Sequence, residues 1–308
     1  CNSRACVLLL QKFVVIRVYH MRQIRISILM ADFLLAAIGI VMIYSSTSIY
    51  AWEKFGDSSY FLKRHIVFLF IGFILTALVM AIDYRVLKKY SKPLVFFSMF
   101  LLVLLFVPGV SREVSGAKRW FRILGFGFQP SEFANLAVII YVSAFLSRKT
   151  RGNRDYFITG FLPPVMILGL VSLLILAQPD LGTVIALGVV VFILLFCAGS
   201  RLKHVLYIGL SALPFLYLLI SRVPYRRMRI ISFLNPWADP LGSGFQLIQS
   251  QVALGSGGLF GKGLGKSIQK LFYLPAGHTD FIFSIIGEEM GFFASLAVLF
   301  IFVFLFMQ

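Results

Sequence analysis

Long apolar runs dominate the chain, and short basic or Pro- and Gly-bearing connections separate them. The runs fall near residues 33–50, 66–82, 94–108, 133–147, 157–177, 181–199, 204–220 and 281–307. A straight helical crossing of bilayer hydrocarbon takes roughly 20 apolar residues, so the pattern predicts eight membrane-spanning helices, several with short edges. Pro163 and Pro164 should kink the fifth, which is tolerable where neighbouring helices re-satisfy the freed carbonyls. One connection breaks the rhythm: about sixty residues, 222–280, separate the seventh and eighth runs. It holds Trp, Phe, Tyr and many Gly with little low-complexity character, which predicts an ordered, functional loop.

Composition agrees with that pattern. Hydrophobic residues make up 59% of 308 and charged residues 13%, too little polar surface to cover a soluble core of this size. The mean hydropathy of +0.92 places the chain among all-α polytopic membrane proteins. A formal charge of +17 would suggest nucleic acid in a soluble protein; here basic membrane-flanking loops facing anionic lipid account for it, and no nucleic-acid partner is predicted. Cys1, Cys6 and Cys197 have no metal or redox spacing. Total Lys and Arg do not decide orientation, but among loops of matched length "SRKTRGNRD" is dense in positive charge while the 178–181 turn has none. The N-terminus is therefore expected inside and the 222–280 loop outside. Residues 1–30 read as an N-terminal cytoplasmic segment, with 1–20 non-native or upstream of a start at Met21, and 31–308 as a membrane domain truncated after Gln308.

Chemistry is concentrated in a few stretches. In "ALGSGGLFGKGLGKS" the end resembles a phosphate-binding loop, but Phe260 stands where that motif needs glycine and no strand pattern precedes it. Its glycines instead suit close backbone packing or N–H groups aimed at an anion. Lys262, Lys266 and Lys270 would share one face of a helix, as would an ordinary solvated face. Lys118, Arg119 and Arg122 surround Trp120 ahead of "QPSE" (Gln129 to Glu132), which reads as a helix start with Pro in the first turn and Glu complementing the dipole. Asp180 in "QPDLGT" caps the following helix or needs a charged partner. Arg222, Arg226, Arg227 and Arg229, beside aromatics, suit a phosphate or pyrophosphate headgroup, or plain lipid anchoring.

The stretch "LPAGHTDFIF" leads into "SIIGEEMGF". Asp280 would stand at the N-terminus of the last helix, where partial positive charge favours the carboxylate. With His278 two residues before it, Asp280 is a general-base candidate at the mouth of a wet cleft. Glu288 would lie about 10 Å deeper and must face a polar cavity or a cation rather than lipid.

Taken in order, "DFLLAAIGIVMIYSSTS", "AKRWFRILGFGFQPSEFANLAVIIY", "QPDLGT", "FLNPWADPLGSGFQLIQSQVALGSGGLFGKGLG" and "YLPAGHTDFIFSIIGEEMGF" resemble the SEDS proteins over about residues 30–308. These are bacterial peptidoglycan glycosyltransferases typified by FtsW, RodA and SpoVE, and "QKLFYLPAGHTDF" looks nearest FtsW or SpoVE. The resemblance implies a ten-span enzyme of the bacterial cytoplasmic membrane, two spans of which are missing here, that polymerises lipid II on the extracytoplasmic face. It implies Asp280 as the essential acid of the external loop, and Glu132 and Asp180 as the acids of the two earlier motifs. The substrate-binding set so read is Lys118, Arg119, Gln129, Ser131, Glu132, Asp180, Arg226, Arg227, Gln249, Lys262, Lys270, His278 and Thr279. Implied partners are the growing glycan strand, a class B penicillin-binding transpeptidase, other divisome membrane proteins and membrane lipids. No cofactor is required by any motif, though a divalent cation, Mg or Mn, could assist at the pyrophosphate. Two positions depart from the family: Asn135 stands where a Lys is usual, able to hydrogen-bond Glu132 but not to supply a cation, and Ala276 replaces a common acid. A lipid-linked precursor flippase and a non-catalytic divisome scaffold are the competing readings.

Overall fold

The computed structural model describes residues 3–114, 117–123, 126–148, 157–271, 273–274, 277 and 279–308; the side chains of 3–22, 112–118 and 122–126 lie outside that description. The described chain is mostly helical. In order come α1 (Ser3–Phe55), α2 (Tyr60–Ala81), α3 (Tyr84–Leu104), β1 (Ser111–Val114), β2 (Ala117–Ile123), β3 (Phe126–Phe128) and α4 (Pro130–Arg148). Then follow α5 (Leu162–Leu176), α6 (Leu181–Cys197), α7 (Leu202–Ser221), α8 (Pro224–Leu234), α9 (Phe245–Ser256) and α10 (Ile282–Met307).

All eight apolar runs are helical. Six helices are long and apolar enough to cross a membrane: Gln23–Phe55 within α1, α2, α4, Phe157–Leu176 ending in α5, α7 and α10. The other two fall short for visible reasons. In α3 the first half carries Arg85, Lys88, Lys89 and Lys92, and α6 has 17 residues. Pro163 and Pro164 do not kink a continuous fifth helix. A single π turn, Phe157–Phe161, precedes them, and they occupy the first turn of α5, where a missing N–H costs nothing. The surface is inverted relative to a soluble protein: no residue of α2 is buried although the helix is almost wholly apolar, so lipid must be its solvent.

The chain forms two compact units, Cys1–Ala77 with Val223–Gln308, and Leu78–Arg222. In the second, α3 to α6 close on one core in which Val138 and Val142, Val171 and Ile175, and Leu187, Val191 and Leu195 are buried at four-residue spacing. That spacing is one face of a 3.6-residue helix. In the first unit, Met42 of α1 and Ile285 and Ile286 of α10 enclose Leu274 from the loop between α9 and α10.

The sequence reading contains no strands, yet β1, β2 and β3 form a three-stranded antiparallel sheet in that order, with β2 central. Among its described residues the 222–280 connection carries α8, a single 3-10 turn at Pro236–Ala238, and α9.

Candidate active site

Gly291 breaks α10 from within. Its backbone (φ 81, ψ −174) is far from helical, leaving carbonyls before the break and amides after it without helical partners. The glycine-rich loop after α9 supplies them. The amides of Lys262 and Gly263 donate to the carbonyls of Glu288 and Glu289 at 2.9 Å, and Phe292 N–H donates to the Gly258 carbonyl at 2.9 Å. Such an approach is open only to glycine: a Cβ on Gly257 would lie 1.9 Å from the Gly287 carbonyl oxygen. Gly257 and Gly261 of "GSGGLFGKG" thus serve backbone-to-backbone packing, one of the two roles the glycines' sequence suggests.

This packing carries two acids inward. Glu288 and Glu289 are 0% and 1% exposed. Glu288 accepts from Lys262 Nζ at 2.8 Å, from Ser267 Oγ at 2.5 Å, and from the amides of Ile268 and Gln269 at 3.2 and 3.3 Å. Glu289 accepts from Lys270 Nζ at 2.9 Å, from the Ser267 amide at 3.4 Å, and from Ser45 Oγ of α1 at 2.6 Å. The sequence expectation that Glu288 meets a cation is thus fulfilled by Lys262. The expectation of a lysine-bearing helix is corrected: residues 262–270 are turns, with positive φ at Gly263 and Gly265, and Lys262 and Lys270 diverge to separate carboxylates while Lys266 is exposed.

Asp280 stands directly ahead of α10, exposed. Among the described residues no hydrogen bond or ion pair occupies its carboxylate. Thr279 beside it is exposed and its carbonyl accepts from Ile282 N–H at 3.4 Å; His278 lies outside the described residues. Gln249 is half-buried on α9.

The second unit has its own polar centre. Asp180 caps α6, accepting from Thr183 N–H at 3.3 Å and Thr183 Oγ1 at 2.9 Å. Arg119 of β2 clamps the same turn, donating to the carbonyls of Gln178 and Pro179 at 2.9 and 2.5 Å and standing 3.7 Å from Asp180. Both predicted duties of Asp180, cap and charged partner, coexist. At the start of α4, Gln129 Nε2 donates to buried Ser131 Oγ at 2.8 Å, and Glu132 is exposed in the first turn. The Asn135–Glu132 hydrogen bond that the sequence allows is not present among the described residues, and Asn135 Oδ1 is buried with no hydrogen-bond partner. The Lys118 side chain lies outside the description.

On α8, Arg226 lies over the Tyr225 ring at 5.6 Å and Arg227 is exposed. Behind them, Asp239 accepts from the Ser243 amide at 2.8 Å, from Ser243 Oγ at 3.1 Å and from the Gly242 amide at 3.1 Å. Those bonds, the Ser243 amide's foremost, hold its carboxyl below the usual carboxylate range.

Sequence reasoning missed Ser45 and Ser267 as partners of the buried acids. Serines are common in membrane helices, and nothing in "YSSTS" marks Ser45 as reaching a residue 244 positions away. Among the described residues no group of three or more His, Cys, Asp or Glu could hold a metal ion.

Comparison with known proteins places this geometry. The family described as cell cycle protein, FtsW/RodA/SpoVE, matches residues 25–308. A probable peptidoglycan glycosyltransferase FtsW of Geobacter sulfurreducens is 47% identical over 264 residues, 86% of this chain and 70% of that protein. Stage V sporulation protein E of Bacillus subtilis is 45% identical over 269 residues, 87% of this chain and 73% of that one. Among solved structures, one describing how a peptidoglycan synthase complex coordinates polymerization and crosslinking aligns with TM-score 0.66 and 30% identity, over 89% of this chain and 74% of that one. Thermus thermophilus RodA aligns with TM-score 0.60 and 27% identity, over 90% and 71%.

Proposed function

The chain belongs to the FtsW/RodA/SpoVE family of cell cycle proteins and is a multi-pass membrane peptidoglycan glycosyltransferase, and we propose that Asp280 is its general base, working on lipid II at the extracytoplasmic face. The observation that carries this is the contrast within one motif. Glu288 and Glu289 are buried with their oxygens taken by cations, hydroxyls and amides, so neither can accept a substrate proton; Asp280, a few residues earlier, is exposed. Its carboxylate takes the proton from the 4-hydroxyl of the acceptor sugar as that oxygen attacks the donor's anomeric carbon. The bond to undecaprenyl pyrophosphate breaks as the new one forms, and the configuration inverts.

A positioned base contributes roughly 10²–10⁴-fold, so charge stabilisation of the leaving pyrophosphate must supply much of the rest. Lys262, Lys270 and Arg119 are already committed to carboxylates and carbonyls within the protein. Exposed Arg227 and its neighbours on α8, with Lys118, are the groups we assign to that charge. We assign lipid II and the growing glycan strand as the two lipid-linked saccharides, and a class B penicillin-binding transpeptidase, among other divisome membrane proteins, as partner. The relative within a peptidoglycan synthase complex supports that pairing.

The break at Gly291 favours one other reading, since transporters build substrate sites from discontinuous helices. Here backbone groups freed at the break bond those of Gly258, Leu259, Lys262 and Gly263 rather than facing an open cavity for a lipid headgroup. The test is glycan synthesis from lipid II by purified protein in bilayers, alongside translocation of labelled lipid II across them. Asp280→Asn should lower polymerisation by about 10²–10⁴-fold. Undiminished strands from that variant refute the base assignment, and translocation without polymerisation by the unsubstituted protein establishes the flippase.

A further inference from the structure

We propose that Glu288 and Glu289, through Lys262, Lys270, Ser267 and Ser45, form a clamp that sets the position of Asp280. This deepens the reading of Asp280 as the base and rests on it. The clamp closes on the loop ahead of Asp280 at two adjacent stations of α10, the helix that begins just after it. At the first station Glu288 holds Lys262 and the 267–269 turn together; at the second Glu289 holds Lys270 and the Ser267 amide. Three consecutive amides, those of Ser267, Ile268 and Gln269, converge on these two carboxylates. Such an amide concavity binds anions, and here the chain's own acids fill it.

Ser45 carries the second station across to α1, since its hydroxyl donates to Glu289 while Lys270 Nζ donates back to it at 3.4 Å. Beyond the clamp, Leu274 is 5% exposed in the α1–α10 core. The loop that ends in Asp280 is thus tied by charge at 262–270, by apolar contact at 274, and by α10 itself from 282. A carboxylate that leads into no charged or polar partner of its own needs such external support to stay within reach of a sugar hydroxyl. Two buried acids whose described side-chain bonds all go to one loop, save the one from Ser45 of α1, are costly to keep unless that loop's position matters.

The clamp residues are positioning residues, and the signature of positioning is a loss in kcat with KM retained. Glu289→Gln should lower kcat for lipid II polymerisation by about 10²-fold, as a misplacement near 1 Å would. The milder Ser45→Ala, which removes one bond to a charged group and leaves the ion pair, should lower it about tenfold. KM should stay within about threefold for both. The deciding measurement is a cycle with Asp280→Glu, which moves the base outward by one methylene. If the clamp acts through Asp280, each double variant retains at least about tenfold more activity than the product of the single losses. Losses that multiply independently, or that fall on KM, overturn the clamp while Asp280→Asn still reports on the base. Should Glu289→Gln not fold, Ser45→Ala carries the same cycle. Full activity of Asp280→Asn removes the base and the clamp with it.

Discussion

A methyl group on Gly261 would stand 2.2 Å from the Glu289 carbonyl oxygen, and one on Gly257 would meet the Gly287 carbonyl more closely still. Gly255, two residues before, faces open space within α9. The three alanine substitutions should therefore differ in sign. Gly257→Ala and Gly261→Ala force the loop off α10 and should lower stability by about 1–3 kcal/mol or more. Gly255→Ala should raise it by about 0.5–1 kcal/mol, because alanine loses less backbone entropy in a helix. Thermal melts in detergent check both directions; equal effects at all three positions would mean the loop is not seated as described. The sequence made this role half legible. A run of glycines announces close packing or an anion cradle, but which glycine meets which carbonyl depends on the break at Gly291, and an isolated Gly in an apolar run gives no sign of one. The every-fourth lysines misled for a related reason: glycines at positive φ between them forbid the helix their spacing suggests.

Among elements, helices were legible from apolar runs because lipid-facing and core-facing surfaces are both apolar, so run length alone reports them. The sheet was not. In "AKRWFRI" polar and apolar residues do not alternate, and β2 is defined by pairing with β1 and β3, not by its own pattern. The Asn235-Pro236 and Asp239-Pro240 steps between α8 and α9 are turn formers, and the electrostatics of that turn follow from its geometry. Asp239 holds the amides of Gly242 and Ser243, while Ser243 Oγ meets Ser232 Oγ of α8 at 2.8 Å. Because these bonds lower its folded-state pKa, the stability it lends is fully present above the unfolded-state value. That stability is lost as pH falls through the depressed one. Hydrogen exchange across 236–250 should therefore accelerate on acidification below the ordinary carboxylate range. Asp239→Asn should exchange faster at neutral pH and lose the acid-dependent step; an unchanged acid response in that variant would assign the effect elsewhere.

At the scale of the whole molecule the open quantity is how many helices cross, and the alternatives make different predictions. On an N-terminus-inside orientation, which we propose, six crossings would leave the end of α4 outside after three, and crossing by α3 and α6 as well would leave it inside after four. With the N-terminus inside, as we propose, the loop at 266 follows five or seven crossings and would lie outside on either count. We propose eight, from the packing within the second unit. Within the second unit α3 lies antiparallel along α4: Arg148 at the end of α4 donates to the Lys88 carbonyl near the start of α3 at 2.5 Å, and Phe97 meets Phe133 edge-on at 5.9 Å. A 21-residue helix is about 32 Å long, so α3 cannot lie alongside a crossing α4 without crossing. Helix α6 shares the core of α4 and α5 through Leu187, Val191 and Leu195, and its 17 residues reach about 26 Å. With the N-terminus inside, as proposed, eight crossings would put the Arg148 end of α4 on the cytoplasmic side, as positive charge prefers. In a cysteine-free background, Lys266→Cys should react with a membrane-impermeant maleimide on intact cells, and Arg151→Cys after permeabilisation alone. Labelling of Arg151→Cys from outside would reduce the crossings to six; protection of Lys266→Cys would put the loop leading to Asp280 on the cytoplasmic side, away from any outer-leaflet chemistry.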